Sequence, residues 1–209
     1  MISPATGAII LNSLVTVYPN LRHTRTHGTG FRLGNYIITA AHIVTSVFEP
    51  GDAPWGDDEF VVKIGRRGVG KSVQPHAMAD VLFCDLRSDL AILSGTSREF
   101  EDIINDASSL SVAEVAVNQK IDAFVYSSKN KWVSGSAWYC CLSRPVLLLY
   151  SEGVPPGTSG SPLVDAQGRV VGVISAESPM QGQKQDFKGL ASYLWGALPS
   201  WIDTKRDSE

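Results

Sequence analysis

Three short motifs of the chain hold a serine, a histidine and an aspartate in an order that suits nucleophilic chemistry. Ser159 lies within Gly157–Pro162, downstream of His42 and of Asp89. A serine hydroxyl is a weak nucleophile at neutral pH, and it reacts when a histidine takes its proton and a carboxylate orients that histidine. The three motifs therefore predict covalent acyl transfer through Ser159, with His42 as the base and Asp89 as the orienting acid.

Glycines on both sides of Ser159 add a second chemical element. Gly157 and Gly160 allow the backbone to turn sharply, so that the N–H groups of Gly157 and Ser159 point into one concavity. Paired donors of this kind stabilise the negative charge of a tetrahedral intermediate, and losing one donor costs about 2.7 to 4 kcal/mol in a well-studied serine protease. We expect these two N–H groups to form an oxyanion hole.

Asp89 and His42 each have competitors of the same residue type. Asp85 precedes Asp89 by one short turn, but Asp89 is followed at once by the apolar run Leu90–Leu93, which suits a buried carboxylate where a strand begins. The other three histidines lie in polar segments: His23, His27 and His76. No third metal ligand lies near the first two of these, so we do not expect a metal site there. The predicted acyl transfer needs neither a metal nor an organic cofactor.

The elements that must position these side chains are predicted to be β-strands. Short apolar or alternating runs are bounded by Gly, Pro, Asn and Asp, and few stretches have helical period, which is typical of an all-β protein. Six strands are predicted in the first half: 14–18, 28–33, 36–39, 59–66, 73–83 and 90–94. Six more are predicted in the second half: 120–126, 132–141, 146–150, 161–165, 170–176 and 189–194. The N-terminal stretch Ala8–Val17 has the character of a strand and not of a signal peptide.

In this order the motifs resemble those of the chymotrypsin-like (trypsin-fold) serine peptidases, including the bacterial HtrA-like and V8-like branches. We expect no PDZ domain of the kind that follows the peptidase domain in HtrA proteins. The resemblance runs from about Leu14 to Ile202, and it rests on Thr39–His42, Asp89–Leu93, Gly157–Leu163, Gly28–Phe31 and Gly168–Ser175. It implies two six-stranded antiparallel β-barrels with a short C-terminal helix. It also implies serine endopeptidase activity in the cleft between the barrels.

We expect a single peptidase domain over residues 1–209. Its predicted parts are the first barrel at about 8–96, a polar connector at 97–113, the second barrel at 114–194 and a C-terminal helix at 195–205. His42 and Asp89 then come from the first barrel and Ser159 comes from the second.

The resemblance also implies a substrate-binding pocket. Gly153 and Val154 match its base, and its walls match Ala176, Glu177 and Gly189. Ser175 matches a residue whose hydroxyl supports the acid and whose backbone pairs with the bound peptide. A neutral base disfavours cleavage after Arg or Lys, although Glu152 or Glu177 can still meet a basic side chain if the loops differ. We expect a small or medium apolar residue before the scissile bond.

Two departures from relatives refine this expectation. Thr158 stands where zymogen-activated members have an aspartate that receives the new N-terminus, so we expect the site to form without propeptide cleavage. Ile174 stands where glutamate-specific members have a histidine, so cleavage after Glu is not expected.

Composition limits the partners. Eighteen basic and 21 acidic residues are scattered along the chain and leave a net charge of -3, so no general field attracts nucleic acid or anionic membrane. The expected partner is a protein or peptide substrate. The three cysteines show no disulfide framework, and no signal peptide or run of roughly 18 apolar residues is evident, so a cytoplasmic location is the default expectation.

Two other functions stay open at this point. A catalytically silent protease-fold module would use the same cleft to bind a protein partner. An esterase would use the same three residues, but the serine motif is unlike the GxSxG elbow of α/β-hydrolases, and the pattern lacks alternating helices.

Overall fold

A computed structural model describes residues 1–18, 27–45, 61–66, 76–139, 147–177 and 188–202 of the chain. The first half contains α1 (Pro4–Ser13), β1 (Leu14–Tyr18), β2 (Gly28–Leu33), β3 (Tyr36–Thr39), α2 (Ala41–Thr45), β4 (Val61–Arg66), β5 (His76–Asp85) and β6 (Leu90–Ser94). Helix α3 (Arg98–Asp106) follows. The second half contains β7 (Lys120–Tyr126), β8 (Trp132–Tyr139), β9 (Leu147–Tyr150), β10 (Pro162–Val164), β11 (Val170–Glu177), β12 (Gly189–Tyr193) and α4 (Leu194–Ala197).

The strands form two closed antiparallel barrels of six strands each. The order is β1-β2-β3-β6-β5-β4 in the first barrel and β10-β11-β12-β9-β8-β7 in the second. The first barrel closes between β1 and β4, and the second closes through the pairing of Val164 on β10 with Phe124 on β7. The predicted all-β double barrel is therefore confirmed.

An apolar core between the barrels explains why β6 is buried on both faces. Side chains alternate along a strand, so neighbours point to opposite sides. Ala91 and Leu93 pack inside the first barrel, whereas Leu90 and Ile92 belong to a second cluster that includes Phe124 of the other barrel. We call this second cluster the interbarrel core. It holds the two barrels together directly beneath Asp89.

Two segments that were predicted to be a strand and a polar connector contain helices. The stretch from Ala8 to Ser13 belongs to α1 and is not a strand: Ser3 caps the helix by accepting from Thr6 N at 3.1 Å, and the Ile10 side chain packs into the interbarrel core. Similarly, the predicted connector contains α3, which buries Phe100 against the first barrel. Both helices are held by tertiary packing.

The helix near the C-terminus is shorter than predicted and begins earlier. Helix α4 covers Leu194–Ala197, and its C-cap is Leu198, immediately before Pro199. A proline has no N–H to continue the helical hydrogen bonding, and it restricts the residue before it to extended backbone. Residues 203–209, which include the end of the predicted helix, lie outside the described residues. Within the described part of the chain, no helix is long and apolar enough to cross a membrane.

Candidate active site

The pairing of β3 with β6 brings His42 next to Asp89. Thr39 at the end of β3 is the partner of Ala91 on β6, so the residues just beyond these two positions meet at one end of the barrel. His42 lies in α2, and Asp89 ends the turn before β6 with a φ of 52°. The register of β3 and β6 therefore brings together His42 and Asp89, which are far apart in the sequence.

Both oxygens of Asp89 contact His42. Oδ1 accepts from the backbone N–H of His42 at 2.8 Å, and Oδ2 lies 2.8 Å from Nδ1 of the ring. The carboxylate is mostly buried, with its side chain 13% exposed, whereas the His42 side chain is 48% exposed. These contacts orient the ring and leave Nε2 as the nitrogen that can exchange a proton with a reacting group.

Asp85, the rival carboxylate, serves the turn instead. It accepts from Ser88 Oγ at 2.6 Å, from Ser88 N at 3.2 Å and from Arg87 N at 2.9 Å. Burial raises the pKa of Asp85, but these hydrogen bonds outweigh burial, and the pKa lies below its ordinary value. Of the two carboxylates, Asp89 is the one that contacts His42.

Ser175 joins the serine of one barrel to the carboxylate of the other. Its hydroxyl donates to Asp89 Oδ2, and its carbonyl accepts from Ser159 Oγ at 3.2 Å. Within the described residues, Ser159 Oγ makes this contact and no hydrogen bond to the His42 ring. The structure thus brings His42, Asp89 and Ser159 to one place through Ser175, with the serine hydroxyl turned toward β11.

The carbonyl groups that precede the N–H groups of Gly157 and Ser159 both accept hydrogen bonds. Pro156 O accepts from Ser128 Oγ at 2.7 Å, and Thr158 O accepts from Ser161 N at 3.0 Å. The peptide bonds of this loop are trans, so the next N–H points in the opposite direction from each carbonyl. These are the N–H groups of the two residues predicted to form an oxyanion hole.

Neither of those N–H groups has a partner within the described part of the chain. No described residue accepts a hydrogen bond from Gly157 N or from Ser159 N. Gly157 has a φ of +83°, a conformation that glycine adopts without a steric cost. Two unoccupied backbone donors beside a serine hydroxyl are suited to bind a developing oxyanion.

Sequence reasoning missed two residues that hold this loop, Thr29 and Ser128. Thr29 on β2 donates from its N–H to Ser159 O at 2.9 Å and from its hydroxyl to Gly157 O at 3.3 Å. Its own carbonyl accepts from Thr39 Oγ1 at 2.8 Å. A hydroxyl residue between two glycines of a strand was the available signal, but its partners are remote in sequence.

Thr158 is fully buried behind the loop. Its Oγ1 accepts from the backbone N–H of Ser128 at 3.1 Å. Thr158 is therefore hydrogen-bonded to a neighbouring turn of the same chain.

The residues predicted to form the substrate pocket lie around the end of β9, β11 and β12. A Cβ added to Gly153 would meet open space, whereas Val154 is 5% exposed and packs in the core of the second barrel. Gly189 pairs with Glu177 on one side and with Tyr150 on the other. For Ala176 and Glu177 the structure describes only the backbone, in β11. In the described ranges, no group of three or more His, Cys, Asp or Glu side chains is placed to hold a metal ion.

Comparison with known sequences identifies one family model. The model, described as a trypsin-like peptidase domain, matches residues 28–173, which contain His42, Asp89 and Ser159. No curated protein sequence matches the chain significantly.

Comparison with solved structures finds the same fold in proteases. A human pathogenic astrovirus serine protease aligns with a TM-score of 0.56 at 20% identity, covering 89% of this chain and 91% of the viral one. A serine endoprotease from Yersinia pestis aligns with a TM-score of 0.59 at 16% identity, covering 90% of this chain. The HtrA-type protease AlgW, in its S227A form with a tripeptide, aligns with a TM-score of 0.61 at 15% identity, covering 94% of this chain. This chain spans 61% of each of the last two proteins. At these identities the likeness establishes the fold alone.

Proposed function

Because the chain belongs to the trypsin-like peptidase domain family, we propose that it is a serine endopeptidase that forms an acyl-enzyme on Ser159. The observation that carries the proposal is the contact chain from His42 through Asp89 and Ser175 to Ser159. Family membership makes a peptidase the expected activity, and this contact chain supplies the groups that peptide hydrolysis needs.

Acylation begins when the Ser159 hydroxyl turns from Ser175 O toward His42. Catalytic hydrogen bonds are often long or misaligned without substrate, so the present orientation of Oγ suits a resting enzyme. His42 Nε2 takes the hydroxyl proton as Oγ bonds to the scissile carbonyl carbon. The former carbonyl oxygen becomes an oxyanion and accepts from the N–H groups of Gly157 and Ser159. His42 then gives its proton to the amine nitrogen, the C–N bond breaks, and an ester remains on Ser159.

Deacylation repeats these steps with water. His42 takes a proton from water, the hydroxide oxygen bonds to the ester carbon, and the same two N–H groups hold the second oxyanion. The proton returns from His42 to Ser159 Oγ as the ester bond breaks, which releases the new carboxylate product. Asp89 keeps the ring oriented and stabilises its charged form in both halves. No step consumes a cofactor.

The substrate is a protein or peptide that lies along β11. We propose that the backbone of Ser175 pairs with the bound chain and that the side chain before the scissile bond enters a pocket formed by Gly153, Val154 and Gly189 with Ala176 and Glu177. The open space beside Gly153 leaves room for that side chain. A small or medium apolar residue is the proposed preference.

The test is labelling by a fluorophosphonate probe together with proteolysis of a peptide library. Such a probe forms a covalent bond to an activated serine, and mass spectrometry locates the modified peptide. We expect label on Ser159 and a cleavage profile from the library. Ser159→Ala should remove the label and reduce turnover by about a millionfold, the scale measured for a convergent serine protease.

Two results would contradict the proposal. Undiminished proteolysis by folded Ser159→Ala would mean that another group or a contaminant performs the cleavage. No labelling of folded wild-type protein would favour the catalytically silent module that binds a partner through the cleft. Circular dichroism of both proteins ensures that each outcome refers to a folded chain.

A further inference from the structure

We propose that Ser128 is the positioning residue that keeps the Gly157 N–H directed into the oxyanion hole, an inference that rests on the proposed endopeptidase function. Ser128 lies in the turn between β7 and β8. Its hydroxyl donates to Pro156 O at 2.7 Å, and its N–H donates to Thr158 Oγ1 at 3.1 Å. Ser128 therefore holds the loop on both sides of Gly157.

The peptide between Pro156 and Gly157 needs such a restraint because it can rotate. Glycine populates both signs of φ, so no Cβ at Gly157 opposes the rotation that would take φ away from its value of +83°. Rotation would reverse the directions of the Pro156 carbonyl and the Gly157 N–H. The Pro156 carbonyl would then face the cleft, and the hole would present an acceptor to the oxyanion in place of a donor.

The Ser128 hydroxyl opposes this rotation through the Pro156 carbonyl. Rotation would remove the carbonyl from its donor, and within the described residues Ser128 Oγ is the group that donates to it. Thr29 donates to Gly157 O and to Ser159 O, so it holds the peptides that follow these two residues and not the one that precedes Gly157.

The position of Ser128 is itself secured. Thr158 is fully buried, and its Oγ1 accepts from the Ser128 N–H, so the backbone of Ser128 is tied to the loop whose carbonyl its side chain holds. Ser128 Cβ lies 3.4 Å from the point where a Cβ on Gly157 would stand. This is an ordinary van der Waals distance, so the turn that carries Ser128 lies directly beside Gly157.

The experiment compares Ser128→Ala and Ser128→Thr with Ser127→Ala as a matched control. The Ser127 hydroxyl donates to Lys131 O at 3.0 Å within the same turn, so its removal costs a similar hydrogen bond without releasing the Pro156 carbonyl. For each variant, the rate of fluorophosphonate labelling of Ser159 is measured at a series of probe concentrations. These rates give the maximal labelling rate and the half-saturating probe concentration separately. The phosphoryl oxygen needs the oxyanion hole during bond formation.

We expect Ser128→Ala to lower the maximal rate about fivefold, within 2- to 12-fold, which is what the net worth of one hydrogen bond gives. The half-saturating concentration should change less than twofold, because ground-state binding does not use the hole. Ser128→Thr keeps a hydroxyl and should stay within twofold of wild type, as should Ser127→Ala. A change below twofold in Ser128→Ala, or an equal loss in Ser127→Ala, would overturn the proposal.

A second measurement does not depend on catalysis. NMR relaxation dispersion of the Gly157 amide reports exchange between two orientations of its peptide, and Ser128→Ala should increase that exchange over wild type and over Ser127→Ala. If folded wild-type protein takes no label, the endopeptidase function fails, and the amide data alone decide whether Ser128 restrains the peptide. Unchanged exchange in Ser128→Ala would refute the restraint.

Discussion

Substitution of Gly160 by alanine should separate the two halves of the candidate active site. Gly160 follows Ser159 and has a φ of +81°. A Cβ added there would lie 1.9 Å from Thr29 O and 2.5 Å from Thr39 Oγ1, both of which belong to the first barrel. The loop that carries Ser159 must therefore move away from β2 to admit one methyl group.

The expected loss has a conformational part and a steric part. A left-handed backbone costs a residue with a side chain roughly 1–2 kcal/mol. Retreat of the loop breaks the hydrogen bond from Thr29 N to Ser159 O and strains the one from Thr39 Oγ1 to Thr29 O, each with a net worth of about 0.5–1.5 kcal/mol. The free energy of unfolding should therefore fall by about 2–5 kcal/mol.

The same displacement should also slow the reaction of Ser159. Side-chain carbons keep at least 3.0 Å from such atoms, so the contact of 1.9 Å requires a displacement of about 1 Å. A misplacement of about 1 Å at a reacting group can cost on the order of 100-fold in rate. We expect fluorophosphonate labelling of Ser159 to slow by at least that factor.

Gly34→Ala supplies the matched control. Gly34 has a φ of +59°, but a Cβ there would meet no atom within 4 Å, so this variant carries the conformational cost alone. Urea unfolding of both variants should show Gly160→Ala to be less stable than Gly34→Ala by about 1–3 kcal/mol, with labelling retained in Gly34→Ala. Equal stabilities, or labelling of Gly160→Ala at the wild-type rate, would refute the contact between the loop and the first barrel.

Two predictions concern titrating groups in the first barrel. Burial, and then the negative charges of Asp89 and Asp85, raise the pKa of the Cys84 thiol from 9.0 to about 11. Alkylation of Cys84 by iodoacetamide at pH 8, followed by peptide mass spectrometry, should therefore be roughly 100-fold slower than alkylation of an ordinary thiol. Alkylation at the ordinary rate would contradict this environment. Because the pKa of Asp85 is lowered in the fold, its stabilising contribution is present at neutral pH and is lost as the pH falls through the folded pKa. Asp85→Asn should therefore unfold at lower urea at pH 7, and its difference from wild type should narrow below the ordinary Asp pKa of about 3.9. A difference that is constant with pH would rule out the carboxylate as its source.

The two helices α1 and α3 differ in how clearly the sequence signals them. Helix α1 has a capping serine at Ser3 and a proline at its first position, both of which are start signals, yet its apolar residues follow no clear helical period. Helix α3 has a capping serine at Ser97 and buries Phe100, Ile103 and Ile104 on one face. The signals of α3 are local and complete in the sequence, whereas packing against the barrels decides that the apolar residues of α1 form a helix.

Local sequence patterns were enough to predict most of the strands and to mark candidate groups for the site. Strands were predictable because alternation of apolar residues is a local property, and β1, β2, β3, β6 and β7 have the predicted bounds. His42, Asp89 and Ser159 stood out as candidate site residues because the short motifs around them resemble those of a known peptidase family. The apolar run after Asp89 favoured it over Asp85, and the register of β3 and β6 is what places Asp89 against His42 while Asp85 bonds within its own turn. The contacts of Thr29 and Ser128 with the loop around Ser159 depend on the folded chain, because the first joins the two barrels over 128 residues of sequence and the second joins two loops of the second barrel that are 28 residues apart.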